Sequence, residues 1–310
     1  MKNKLLEEKL EIVSNNTIKL LNEELPADAA GIASIKSRID GVIERIYKDS
    51  IAAQVCDVQP CYGPSGIIFY TKRVANKMTV GSMPFEVDDE IKEIANVSKE
   101  WWQDFSSVTG QNAAEYLIDN LMQDISEELD KKFIAKLNEI APVVRTITFT
   151  STSDMYSGFM SIMAAVFDGS GIIAKETERG HRPYVIASTK VAAALATLGF
   201  MTGLPSGRDT DDTNINLIGN LYNTKVFIDY DATSDYLLVG HKGNYVGDST
   251  IILAPYALES KVAEEASVDT NGVLVHNRFK FVRHPLDNTG VNDSKFVKRY
   301  NINFSAMTNF

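Results

Sequence analysis

A chain of 310 residues with 44% hydrophobic and 23% charged residues can bury a sizeable core without disulfides or a structural metal. A net charge of -10 and a pI near 5.0 argue against an extended basic clamp on nucleic acid. The two cysteines, Cys56 and Cys61, have no second pair or nearby histidine to complete a zinc site, so two small semi-buried thiols are expected, with no metal and no cofactor.

Residues Met1 to Leu10 are charged and lack the apolar stretch of a signal peptide. No later run is read as long enough to span a bilayer, so the expectation is an intracellular protein with no membrane partner. Leu5, Leu6, Leu10, Val13, Leu20 and Leu21 recur at helical spacing and predict a helix from Asn3 to Leu25, stopped by Pro26. Ile32, Ile35, Ile39, Val42 and Ile46 recur by threes and fours and predict an amphipathic helix from Ala30 to Lys48. Its apolar stripe needs a partner. Its own domain and a neighbouring subunit satisfy it equally well.

The stretch Asp57 to Tyr70 places Pro60, Gly63, Pro64 and Gly66 close together before the apolar run Ile67-Ile68-Phe69-Tyr70. Proline fixes φ and glycine frees it, so a rigid bend should feed an extended arm. Ser65 has no neighbouring histidine and no Lys-Ser/Thr pair closes a phosphate loop. Ile67 to Val74 reads as a strand. Ala75 to Glu93 holds Gly81, Pro84, Phe85 and the acidic group Glu86, Asp88, Asp89 and Glu90, and offers little core. A long two-stranded excursion fits it, with Trp101 and Trp102 anchoring the return to the body.

The longest periodic segment is Gln111 to Ala141, whose stripe includes Leu121, Ile125, Leu129 and Phe133 and which Pro142 ends. At 1.5 Å per residue this helix would run about 45 Å, a spine among shorter elements. Glu127/Lys131 and Glu128/Lys132 are spaced as ion pairs on its outer face. Beyond it the pattern predicts a strand at Val143 to Thr150, a helix at Asp154 to Phe167 and a strand at Tyr184 to Ala187. Ser188 is read as the cap of a helix from Thr189 to Leu198. An exposed loop follows from Met201 to Asn214, then strands near 225–229, 236–240, 250–254, 272–282 and 296–304. This is not the regular βαβ alternation of a doubly wound enzyme.

Reactive constellations are missing from the pattern. His181, His241, His276 and His284 match no ligand motif and read as surface or turn residues. Gly169-Ser170-Gly171 reads as a loop between helices. Asp88-Asp89 and Asp211-Asp212 read as solvated charge, and Lys295, Lys298 and Arg299 as a small basic patch. No catalytic residue is assigned; the alternative is an enzyme with an unrecognised site.

Three blocks together resemble the major capsid proteins of T-even-like tailed bacteriophages. The first is Val58-Gln59-Pro60, Gly63-Pro64 and Gly66 to Phe69. The second runs from Gly219 to Asp229, through Tyr236-Leu237-Leu238-Val239-Gly240-His241-Lys242-Gly243, to Ile251-Ile252-Leu253-Ala254-Pro255-Tyr256. The third is Arg278-Phe279 to His284-Pro285. The resemblance implies the α+β tailed-phage capsid fold, shared with encapsulins. It implies an N-terminal arm at 1–56, an extended loop at 57–100, a peripheral domain at 101–187 and 258–310, and an axial domain at 188–257. Pro60, Gly63, Pro64, Phe69, Tyr70, Pro84 and Phe85 then belong to an inter-subunit loop, and Ile32, Ile35, Ile39, Val42 and Ile46 to a docking arm. The implied role is a structural subunit that self-assembles into hexamers and pentamers of an icosahedral head. The head encloses DNA without binding it specifically, in a virion capsid assembled in the host cytoplasm. Scaffolding, portal, and decoration or vertex proteins are the implied partners. An encapsulin-like compartment with protein cargo is the alternative. Longer relatives carry an inserted domain in the extended loop, for which this chain has no room.

Overall fold

The computed structural model describes residues 2–20, 40–41, 43, 46–47, 50–74, 77–149, 155–180, 183–197, 201–202, 217–222, 224–267 and 270–304. Helix α1 (Lys2–Leu20) buries Leu10 and Val13. It also carries a buried polar row onto a long strand, β11 (Ile251–Ser267). There the Asn16 amide donates to the carbonyls of Cys61 at 2.6 Å and Tyr256 at 2.9 Å, and Thr17 Oγ1 accepts the Leu258 N–H at 3.0 Å. Of the second expected helix, residues 40, 41, 43, 46 and 47 are helical, and Ile46 is buried against the chain's own core. Ile32, Ile35, Ile39 and Val42 lie outside the described residues.

The short helix α2 (Ile51–Val55) leads through β1 (Asp57–Val58) to a hairpin, β2 (Ser65–Val74) and β3 (Lys77–Glu86). Among the described residues these two strands pair only with each other. The expected excursion ends there. β4 (Asp89–Ser98) pairs antiparallel along its length with β12 (Thr270–Arg283), in a four-stranded sheet of order β1-β11-β12-β4. The acidic group at 86–90 therefore straddles a strand boundary. Ile91 is buried and Ala95 and Val97 pack on the core, while Asp89 and Glu93 share their side of the strand and obscure the alternation.

Helix α3 (Lys99–Thr109), capped by Ser98, precedes the spine helix α4 (Ala113–Ile140), capped by Asn112. The spine buries Leu117, Leu121, Ile125, Leu129, Phe133, Leu137 and Ile140, one side chain every three or four residues. Its outer lysines do not form the expected pairs. Lys131 bonds Asp231 at 3.3 Å and Lys132 reaches the Glu90 carbonyl at 2.8 Å.

The seven-stranded sheet has the order β5-β13-β10-β6-β9-β8-β7. These strands are β5 (Val143–Thr148), β6 (Pro183–Ser188), β7 (Met201–Thr202), β8 (Leu217–Leu221), β9 (Thr224–Asp229), β10 (Tyr236–His241) and β13 (Val297–Asn303). Alternate residues serve two cores. Tyr184, Ile186, Phe227, Tyr236 and Leu238 face the spine and the four-stranded sheet. Val185, Ala187, Val226, Leu237 and Val239 face α5 (Met155–Thr177) and α6 (Thr189–Thr197). Every residue of β10 is consequently buried, which explains its unbroken apolar run.

Helix α5 runs through Gly169-Ser170-Gly171, where a loop was expected. A Cβ at Gly169 would lie 3.0 Å from Val239 and 3.2 Å from Tyr300, so glycine lets the helix press onto the sheet. Within it, Tyr156–Thr177 is long and apolar enough to cross a membrane, contrary to expectation. Here Phe159, Ile162, Ala165, Val166 and Ile173 are buried in the second core. Ser188 ends β6, and its hydroxyl donates to Asp235.

Candidate functional site

Among the described residues, β2 and β3 form a two-stranded sheet that extends no other sheet. Cross-strand partners share a face, so Ile67/Pro84, Phe69/Ser82 and Thr71/Val80 face one way. On that face Ile67, Phe69 and Val80 are 60%, 49% and 64% exposed. Pro84 is exposed with them. The opposite face carries Ile68, buried against Ile252 and Val282, with Tyr70, Met83 and Phe85 packed around it. Phe85 also covers Cys61 and Tyr256.

Pro60 and Gly63 are half-buried in the bend before the hairpin, and the exposed Pro64 accepts the Val87 N–H through its carbonyl at 2.8 Å, closing the hairpin's base. Gln59 clamps the next turn of chain. Its amide donates to the Phe69 carbonyl at 2.6 Å and accepts the Phe69 N–H at 2.7 Å, as a neighbouring strand would. Asp57 in turn accepts from Gln59 at 2.8 Å and from the Gly247 N–H at 2.7 Å, and Lys9 of α1 stands 3.3 Å away. Gly247 has φ of +64°, and a Cβ there would strike the backbone of Phe69 and Tyr70. Only glycine fits this crossing.

A buried charge locks the same junction. The Arg179 guanidinium, beyond the end of α5, donates to the Asp248 carboxylate and to the Thr71 carbonyl of β2. The Arg179 and Asp248 side chains are 8% and 7% exposed. Burial lowers the Arg179 pKa to about 10, which leaves it charged at neutral pH. His241 Nε2 lies 3.2 Å from the same Asp248, and the Thr71 hydroxyl donates to the Val246 carbonyl at 2.6 Å. His284 stacks on Phe296 at 4.3 Å and meets the Tyr70 ring edge-on at 5.8 Å. Its Nδ1 accepts the Leu286 N–H at 3.1 Å. Burial first, then the Arg179 charge and the neighbouring His241, push its pKa down to about 3, so its ring is neutral. His241, His276 and His284 are all buried, which corrects their reading as surface residues; His181 lies outside the described residues.

Of the spine candidates, Ile125, Leu129 and Phe133 are fully buried and Leu121 nearly so; Phe133 packs on Phe281 at 5.7 Å. They are core, and they seat the junction between the two sheets. Sequence reasoning missed Arg179, Asp248 and Asp130. Asp130 lies inside the spine stripe as a buried carboxylate. It accepts from Ser50 Oγ at 2.7 Å, Ile51 N–H at 2.9 Å and Ala52 N–H at 3.0 Å, anchoring the first turn of α2. A charge at a stripe position was the available signal. Arg179 gave none, because it stands between Glu178 and Gly180 with no motif or periodicity around it. Two of the three residues of the basic group are engaged within the chain. Lys298 bonds Glu176 at 2.6 Å, and Arg299 lies over the Tyr236 ring at 4.9 Å. Among the described residues no cluster of three or more His, Cys, Asp or Glu could hold a metal.

A hairpin anchored at its base, a spine between two sheets and a helical N-terminus define the tailed-phage capsid fold. A chain of Mycobacterium phage Cain overlays with a TM-score of 0.53 at 10% identity, over 83% of this chain and 92% of that one. The virus-like particle chain from Pyrococcus furiosus overlays with a TM-score of 0.52 at 8% identity, over 86% and 98%. The profile of the major capsid protein Gp23 family matches residues 90–307, and the chain belongs to that family. Major capsid proteins of Escherichia phage AR1 and Enterobacteria phage T6 are 27% and 28% identical to it, over 74% and 72% of this chain. The chain spans about half the length of these relatives, 48% and 49%.

Proposed function

We propose that this chain is the repeating wall subunit of an icosahedral phage head. Copies close into hexamers and pentamers around genomic DNA that the wall does not read. The observation that carries this reading is the hairpin: its base is clamped by Gln59, Asp57 and Arg179, while Ile67, Phe69 and Val80 stand exposed on its outer face. Rigid anchoring with an uncovered apolar face suits a contact completed by another subunit. The net charge of -10 suits a wall that releases packaged DNA. Scaffolding, portal, and vertex or decoration proteins would meet it as separate chains during assembly in the host cytoplasm.

Cryo-electron microscopy of purified particles, with their nucleic acid and protein content assayed, tests the proposal. Closed icosahedral shells with nuclease-protected DNA are expected. Shells filled with protein cargo would favour an encapsulin-like compartment, and a protein that never forms shells would sink the proposal.

A further inference from the structure

The second half of the spine and the turn between β9 and β10 do not close on each other. Ala135 on the helix and Ala232 and Ser234 on the turn are small, and a cleft of about 320 Å³ remains between them. That is the size of a small-ligand cavity. Arg299 of β13 forms its third wall.

The cleft is rich in unused donors. Arg299 Nε donates to Asn301 at 3.0 Å, Nη1 to Asn138 at 3.1 Å and Nη2 to Ser234 Oγ at 3.3 Å. These acceptors are all neutral oxygens. A guanidinium has more N–H groups than such bonds use, so each terminal nitrogen keeps one to offer. Among the described residues, the backbone N–H groups of Ala232, Thr233 and Ser234 bond no protein oxygen either.

The acceptors, by contrast, are taken. Asp229 receives the Asp231 N–H at 3.1 Å on one oxygen and the Tyr236 hydroxyl on the other. Burial, then the bond to Asp229, raise the Tyr236 pKa, so this hydroxyl keeps its proton and donates. Asp231 is paired with Lys131 at 3.3 Å. Spare donors therefore outnumber spare acceptors, the reverse of what a cation needs.

We infer that this cleft binds a phosphate group, held by the Arg299 guanidinium, the turn at 232–234 and Lys131. The donors stand on three separate elements. A tetrahedral oxyanion turns an oxygen to each of them, whereas a planar carboxylate fits the fork of Arg299 alone. The Tyr236 ring, 4.9 Å from the guanidinium, holds that fork in place. Lys131 and Arg299 face Asp229 and Asp231, so the field is near neutral and the affinity modest, with a Kd of about 1 mM. Bound phosphate would tie the spine to the seven-stranded sheet, beside the Lys131–Asp231 pair that already crosses the gap. The site uses neither the hairpin nor a second copy, so it stands apart from the capsid reading.

Isothermal titration of the full chain with inorganic phosphate, at pH 7 and fixed ionic strength, tests this. One phosphate per chain is expected, and no binding of acetate at the same concentrations. Arg299→Gln should weaken phosphate at least tenfold, to beyond about 10 mM. The Asp231 side chain is 63% exposed, so Asp231→Asn should fold as wild type by circular dichroism. It removes the carboxylate that competes for Lys131 and should tighten phosphate about threefold. A nucleoside monophosphate, titrated next, separates the sources. Tighter binding than inorganic phosphate assigns the site to a phosphate ester, and equal or weaker binding assigns it to the free ion. Phosphate that binds no better than acetate, or that Asp231→Asn binds no more tightly than wild type, would overturn the site.

Discussion

Arg179 spans the three segments that meet at the hairpin's base, so its loss should register both in stability and in hairpin order. Arg179→Met removes the cation facing the buried Asp248 carboxylate. Breaking a buried pair costs about 3–5 kcal/mol, and a value near the lower bound is expected because His241 also faces Asp248. Arg179→Lys should lose less, since it keeps the charge but not the fork that reaches Thr71 as well. Urea unfolding of both variants checks this; a loss under 0.5 kcal/mol for Arg179→Met, well below that range, would show that the charge locks nothing. The neighbouring His284 predicts an acid response. Its folded pKa, about 3, lies below the roughly 6.5 of an unfolded histidine. The unfolded chain therefore binds more protons between those values. Stability is complete above about pH 6.5 and falls as pH drops, by about 2 kcal/mol at pH 5 for this residue. Unfolding at pH 7 and pH 5 should show a shallower loss in His284→Asn than in wild type, although the depressed pKa of His276 adds its own share to both. Equal slopes would remove His284 from the account.

Elements were legible where periodicity and burial agree. The spine's stripe from Leu117 to Ile140 follows the helical repeat, and β10 shows as an apolar run because two cores flank it. β4 was illegible because Asp89 and Glu93 occupy its inward rhythm and only the long pairing with β12 holds it in the sheet. Gly169 reads as a break because composition cannot report that a helix lies against Val239 and Tyr300. The hairpin's bend was visible in Pro60, Gly63 and Pro64, but its anchor was not, since Gln59, Arg179 and Asp248 come together from segments far apart in sequence. Within the spine, Leu129 is fully buried between the sheets. Leu129→Glu would bury an unpaired carboxylate at a cost of several kcal/mol, enough to prevent folding of a domain of ordinary stability. Soluble protein with wild-type melting would contradict the spine's role as core.

At the scale of the whole molecule, the hairpin divides in two. Its base, with Ile68, Tyr70 and Thr71, belongs to the fold, and excising it would open a cavity beside Ile252 and Val282. Beyond Thr71 the described strand residues pair only with their own return strand. Removing Lys72 to Thr79 and joining Thr71 to Val80 through Asn-Gly keeps their register and supplies a turn suited to a two-residue hairpin loop. Sedimentation velocity of this truncated chain beside wild type is the most direct test that the hairpin acts between subunits. The account predicts a folded subunit, with wild-type circular dichroism, that sediments only as small species where wild type forms shells. Closed particles of wild-type size from the truncated chain would contradict it.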